Sequence, residues 1–141
     1  MSSKPRILVL CTGNSARSQM AEGLLKAKLG DRFEVDSAGT RPSIVRPEAI
    51  EALREVGIDI AGNRSKSVDE FADAEIDYVL TVCDNAKENC PHFPAQTKLT
   101  HHAFKDPAEV QGEFEERLAA FREVRDQIAE FIDSEYAALV S

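Results

Sequence analysis

The chain lacks several signatures, and each absence removes a class of function. There is no Gly-x-Gly-x-x-Gly fingerprint and no Gly-Lys-Ser/Thr triplet, so dinucleotide and P-loop nucleotide binding lose their sequence marks. There is no surplus of positive charge: the net charge is -8. That balance argues against general nucleic-acid binding and against adhesion to an anionic membrane. It also means that any anion site must create its positive field locally. No apolar run approaches membrane-spanning length, and Met1–Arg6 leads into a short strand without a signal peptide. The expected setting is therefore a reducing cytoplasm. Three cysteines in such a setting do not read as a structural disulfide framework. Repeats, linkers and low-complexity segments are also missing.

What is present is the composition of a soluble globular protein, with 43% hydrophobic and 30% charged residues. A length of 141 residues suits one domain, 1–141, with one substantial core. The pattern predicts strands at about 6–10, 33–39, 77–82 and, more weakly, 97–100. Helices are predicted to Leu29 (Met20, Leu24 and Ala27 on one face) and from Pro47 (Ile50, Leu53 and Val56 inward). A short helix falls at 68–72 and a long one at about 113–137, with Phe114, Leu118, Phe121, Val124, Ile128 and Phe131 inward. The alternation predicts an α/β fold: a three-layer, open, parallel four-stranded sheet with helices on both faces. Such sheets bind ligands at the carboxyl ends of their strands, where Cys11, Cys83 and the loop carrying Asp106 fall.

The most informative stretch is Cys11-Thr12-Gly13-Asn14-Ser15-Ala16-Arg17-Ser18, between the first strand and the first helix. A turn in that place points backbone N–H groups inward, at the positive end of a helix. Gly13 lets the backbone approach an anion, and Asn14 tolerates φ > 0 and can tie the loop to itself. Arg17 offers a planar fork for two oxygens of one oxyanion. The same field is expected to depress the Cys11 pKa, with Ser18 hydrogen-bonded to its sulfur. Thr12, Gly13, Asn14, Ser15, Ala16, Arg17 and Ser18 are thus the candidate oxyanion-binding residues, and Cys11 the nucleophile. A buried cysteine ending a strand beside a surface arginine is the plainer alternative, but it gives the surrounding polar residues nothing to do.

Cys83 and Cys90 are separated by six residues, the wrong spacing for a compact zinc pair or a thioredoxin-type motif. No metal site is expected, and His92, His101 and His102 read as solvated loop residues. The redox reading is sharper. A thiolate joined to an oxidising oxyanion needs a second thiol to displace the reduced product and a route to pass the disulfide on. The segment between Cys83 and Cys90 has low apolar content, so its movement is expected to cost little. Two incidental cysteines are the bland alternative.

The loop resembles that of the low-molecular-weight protein tyrosine phosphatases and of the arsenate reductases built on the same fold. The resemblance extends over Cys11–Gly23, Ser37-Ala38-Gly39, Pro47-x-Ala49-Ile50, Cys83–Cys90-Pro91 and Asp106-Pro107-Ala108. It favours the thioredoxin-coupled arsenate reductases, because the tyrosines usual after Asp-Pro in the phosphatases are replaced by Ala108 and Glu109. It implies arsenate as substrate, with phosphate or sulfate as competing oxyanions, and catalytic roles for Cys11, Arg17, Cys83, Cys90 and Asp106. Cys83 would attack the Cys11 adduct, Cys90 would then attack Cys83, and thioredoxin would reduce the last disulfide. No cofactor is implied beyond those reducing equivalents, and the expected assembly is a monomer. Ala16 stands where the family often has cysteine. Some relatives hold potassium with residues matching Asn14, Glu22, Ser37 and an acidic residue near position 66. Here that position is Lys66, whose ammonium could partner Glu22, so no required potassium is expected. Two alternatives remain: a phosphatase using Cys11, Arg17 and Asp106, and a non-enzymatic oxyanion or redox sensor.

Overall fold

The computed structural model describes residues 4–84 and 97–140. Four parallel strands, β1 (Arg6–Cys11), β2 (Glu34–Gly39), β3 (Tyr78–Thr81) and β4 (Lys98–His101), lie in the order β2-β1-β3-β4. β1 occupies the centre: Ile7 pairs with Val35 on one side and Tyr78 on the other. Its residues from Ile7 to Cys11 are all buried, as a strand covered on both faces requires. The expected α/β sheet is therefore present, with boundaries within a residue or so of those predicted.

Three helices carry most of the remaining core: α1 (Arg17–Leu29), α2 (Pro47–Arg54) and α3 (Phe114–Phe131), all in mutual contact. Pro47 occupies the first turn of α2, where its missing N–H costs nothing. α3 continues through a π-helical turn, Ile132–Tyr136, to Leu139. Met20, Leu24, Leu53, Leu118, Phe121, Val124, Ile128 and Phe131 are buried as expected.

Several expectations fail for local reasons. Ala27 is exposed, in the last turn of α1 beside Lys26 and Lys28. Val56 is 49% exposed because α2 stops at Arg54 and the chain turns at Gly57 with φ +84°. Phe114 opens α3, where it lies under the Arg117 guanidinium and stays 39% exposed. His101 and His102 are not solvated loop residues. His101 closes β4 and bonds to Thr81, and the His102 ring stacks on Phe131 at 4.2 Å. His92 and Cys90 lie outside the described residues.

Candidate active site

β1 delivers Cys11 to the carboxyl edge of the sheet, and α1 begins six residues later. The intervening loop is sealed from outside through its carbonyls. Those of Cys11, Thr12, Gly13 and Ser15 accept from the backbone N–H groups of Thr40, Arg41, Ser43 and Arg46, at 2.8–3.2 Å. Ser65 Oγ donates to the Gly13 carbonyl at 2.8 Å, and Gln19 Nε2 to that of Asn14 at 3.1 Å. In a trans peptide the N–H points opposite to the C=O. Carbonyls turned outward therefore turn N–H groups inward, toward Cys11. α1 adds to that field, since Ala16 at its N-cap makes no side-chain cap and its first turn holds no acidic residue.

Asn14 pins the loop from behind. Its φ is +47°, the left-handed conformation that an asparagine tolerates. It is fully buried. Its Nδ2 donates to Ser18 Oγ (2.8 Å) and Ser37 Oγ (2.9 Å). Its Oδ1 accepts from Lys66 N (2.8 Å) and Gln19 Nε2 (3.0 Å). Ser37 Oγ in turn donates to Glu22 Oε1 at 2.7 Å. Glu22, 2% exposed, also accepts from Lys26 Nζ and Asn63 Nδ2 at 3.0 Å each. The Lys66 ammonium stands 3.6 Å from Glu22 Oε1, as its place in the sequence suggested. Among the described residues, no cluster of His, Cys, Asp or Glu could hold a metal ion.

Arg17 leaves the first turn of α1 and crosses to the loop before α3. Its Nη1 donates to the Phe104 carbonyl at 3.0 Å, and its Nη2 lies 3.6 Å from Asp106 Oδ2. Its buried Nε has no hydrogen-bond partner among the described residues. A buried guanidinium N–H without an acceptor is costly, and a bound oxyanion would satisfy it. Asp106 does two things at once. Oδ1 caps the 3-10 turn at Pro107–Glu109 through Ala108 N at 3.0 Å, while Oδ2 faces Arg17.

Cys83 follows β3 and is brought to Cys11. Both cysteines are buried, Thr12 Oγ1 lies 3.3 Å from Cys83 Sγ, and Cys83 is the largest influence on the Cys11 thiol. This influence reverses the expected depression of the nucleophile. Cys83 pushes the Cys11 thiol well up, and burial adds to it. The Arg17 guanidinium and the Ser18 backbone N–H pull it down without prevailing.

Some residues of the site had no sequence signal. The Phe104 carbonyl and the amides of Thr40, Arg41, Ser43 and Arg46 act through the backbone, which carries no residue-type mark. Gly39 is legible only in space: a Cβ there would stand 2.5 Å from the Thr12 carbonyl and 2.9 Å from Asn14 N. Only glycine lets β2 seat the loop so closely.

This combination of a β1–loop–α1 anion cradle, a cysteine at its floor and an arginine and aspartate across it defines a phosphatase-type oxyanion site. The chain belongs to the low molecular weight phosphotyrosine protein phosphatase family, whose model matches residues 6–139. Within it, the chain is 47% identical over 122 residues to an arsenate reductase of Bacillus subtilis, covering 86% of this chain and 88% of that one. It is 46% identical over 130 residues to an arsenate reductase of Oceanobacillus iheyensis, covering 92% and 94%. A solved arsenate reductase in the phosphate binding state superposes with a TM-score of 0.75 at 31% identity, covering 95% of this chain and 98% of that one. A thioredoxin-dependent arsenate reductase of Corynebacterium glutamicum superposes at 0.70 and 28% identity, covering 97% of this chain and 64% of that one.

Proposed function

We propose that this protein is an arsenate reductase that works through a three-cysteine relay re-reduced by thioredoxin. One observation carries the reading: the pairing of β3 with β1 brings a second buried cysteine, Cys83, to the nucleophile at the floor of the oxyanion cradle, where it is the largest influence on the Cys11 thiol. Hydrolysis of a phosphate ester needs no second thiol. Reduction of an oxyanion bound to Cys11 does.

Arsenate enters as a dianion against the inward N–H groups of residues 12–18 and the Arg17 guanidinium, taking up the unpartnered Nε. Cys11 starts as a thiol because Cys83 and burial hold it there. The dianion accepts its proton, and the resulting thiolate attacks arsenic. Asp106, on the far side of Arg17, protonates the departing hydroxyl, which leaves as water. Cys83 gives its proton to an oxygen of the arsenic adduct and, as thiolate, attacks the Cys11 sulfur. An S–S bond forms and the S–As bond breaks, its electron pair remaining on arsenic. As(V) becomes As(III), released as arsenite, and two thiols are oxidised. Cys90, outside the described residues, attacks Cys83, frees Cys11 and leaves a Cys83–Cys90 disulfide for thioredoxin. The protein acts as a cytoplasmic monomer that takes no cofactor or metal, with phosphate and sulfate competing for the cradle.

The test is arsenate-dependent NADPH oxidation with thioredoxin and thioredoxin reductase. Wild type should turn over repeatedly, Cys90→Ser should stop after about one turnover, and Cys11→Ser and Cys83→Ser should be inactive. If wild type is inactive but cleaves an aryl phosphate in a Cys11-dependent, Cys83-independent way, the protein is a phosphatase using Cys11, Arg17 and Asp106.

A further inference from the structure

The edge of the sheet beside Cys83 carries a hydrogen-bonded chain that the reaction above does not use. His101 Nε2 lies 3.0 Å from Asp84 Oδ1, and its Nδ1 lies 2.7 Å from Thr81 Oγ1. A carboxylate only accepts, so Nε2 carries the proton toward Asp84. In the neutral ring Nδ1 then accepts from the Thr81 hydroxyl. Carboxylate, imidazole and hydroxyl in line suggest a nucleophile, but Thr81 is buried in β3 and no substrate could reach it. The chain holds something in place.

What it holds is the backbone on both sides of Cys83. Thr81 and His101 are register partners on β3 and β4. Val82 is fixed by the sheet, its N–H donating to the Leu10 carbonyl and its carbonyl accepting from Phe104 N–H, both at 3.0 Å. Beyond Val82 the strand has ended, and Asp84 ties the chain back to β4 through its side chain. Cys83 sits between those two anchors. We propose that His101 is a positioning residue that keeps Cys83 against Cys11 and so sets the rate at which Cys83 attacks the Cys11 adduct. It leaves oxyanion binding and the first attack untouched. This rests on the reductase reading and adds to it a residue acting on one named step. The bond formed and the bond broken are those given above: S–S for S–As, with the electron pair passing to arsenic.

The experiment separates the two steps in a Cys90→Ser background, where the reaction ends at the Cys11–Cys83 disulfide. That disulfide is followed in a single turnover at saturating arsenate, by mass spectrometry after quenching. Oxyanion binding is followed separately, as protection of Cys11 from alkylation by inorganic phosphate. His101→Ala is expected to slow disulfide formation roughly fivefold, the scale of one partly exposed charge-assisted bond, with phosphate protection unchanged. His101→Gln keeps an N–H donor toward Asp84 and should restore most of the rate. Asp84→Ala, at an exposed position that the fold tolerates, should match His101→Ala, and the double variant should be no slower than either. An unchanged rate in His101→Ala, an equal loss of phosphate protection, or additive losses in the double variant would overturn the assignment. No disulfide in the Cys90→Ser reference itself would instead overturn the reductase reading.

Discussion

Asn14 is the residue on which the shape of the cradle depends most, and its replacement by alanine gives a quantitative test. Two costs follow from the structure. Alanine at φ +47° pays the left-handed penalty, about 1–2 kcal/mol. The second cost lies in what the amide leaves behind. The Ser18 and Ser37 hydroxyls can rotate to other partners, and Ser37 keeps Glu22. The Lys66 N–H cannot rotate, and its bond to Oδ1 is lost, at about 1–3 kcal/mol for a donor stranded away from water. The sum is about 2–5 kcal/mol. Urea unfolding of Asn14→Ala should show that loss at unchanged m, and phosphate protection of Cys11 should weaken in parallel. Ser37→Ala shares the Nδ2 bond with Asn14, so the double variant should lose less than the two single losses added. A change below about 0.5 kcal/mol in Asn14→Ala, or strict additivity with Ser37→Ala, would refute the view that this network holds the loop.

Three further outcomes follow. Cys83→Ala removes the largest influence raising the Cys11 thiol, so the pH midpoint of Cys11 alkylation should shift downward; an unchanged midpoint would contradict the paired-thiol picture. Glu55 is held down to about 2, first by Arg122 and then by Arg125 across the α2–α3 contact. A depressed carboxyl stabilises the fold above its unfolded pKa and loses that contribution as pH falls through the folded value. Wild type should therefore lose stability relative to Glu55→Gln between about pH 4.5 and 2 in urea titrations, and parallel curves would count against the ion pairs. Lys66 places an ammonium beside Glu22, so turnover should be the same in potassium and sodium chloride; activation by potassium would mean that the ammonium does not substitute for a cation.

The sequence made the cradle legible because its polar residues have no packing purpose. A strand, Cys-Thr-Gly-Asn, and Arg-Ser at the head of a helix can be placed before any fold is known. The Glu22–Lys66 pairing was legible only through the family resemblance, as a lysine where some relatives carry an acidic residue. What stayed hidden acts through the main chain or through distance. The amides that seal the loop belong to residues 40–46, whose side chains give no hint of the task. Gly39 reads as the end of a strand until its hydrogen is seen against Thr12 and Asn14. The protonation of Cys11 was misjudged because the pattern places Cys83 on the same sheet edge but does not give its distance from Cys11, and at that distance Cys83 outweighs Arg17. Val56 and Phe114 followed the helical period but fell at or beyond helix ends, where the period no longer dictates which way a side chain faces.

The outward sealing of the loop carbonyls has a consequence for life in a cell. The hydrogen bonds from Thr40, Arg41, Ser43, Arg46 and Ser65 brace the cradle from outside before any guest arrives. The cradle therefore offers the same N–H groups to any tetrahedral dianion of similar size. In the proposed mechanism, discrimination against phosphate comes from chemistry and not from fit, because arsenic, unlike phosphorus, accepts the electron pair when Cys83 attacks. On that mechanism phosphate would enter and leave unchanged, occupying the protein for part of each cycle. Arsenate would then be the one guest that the second thiol can convert.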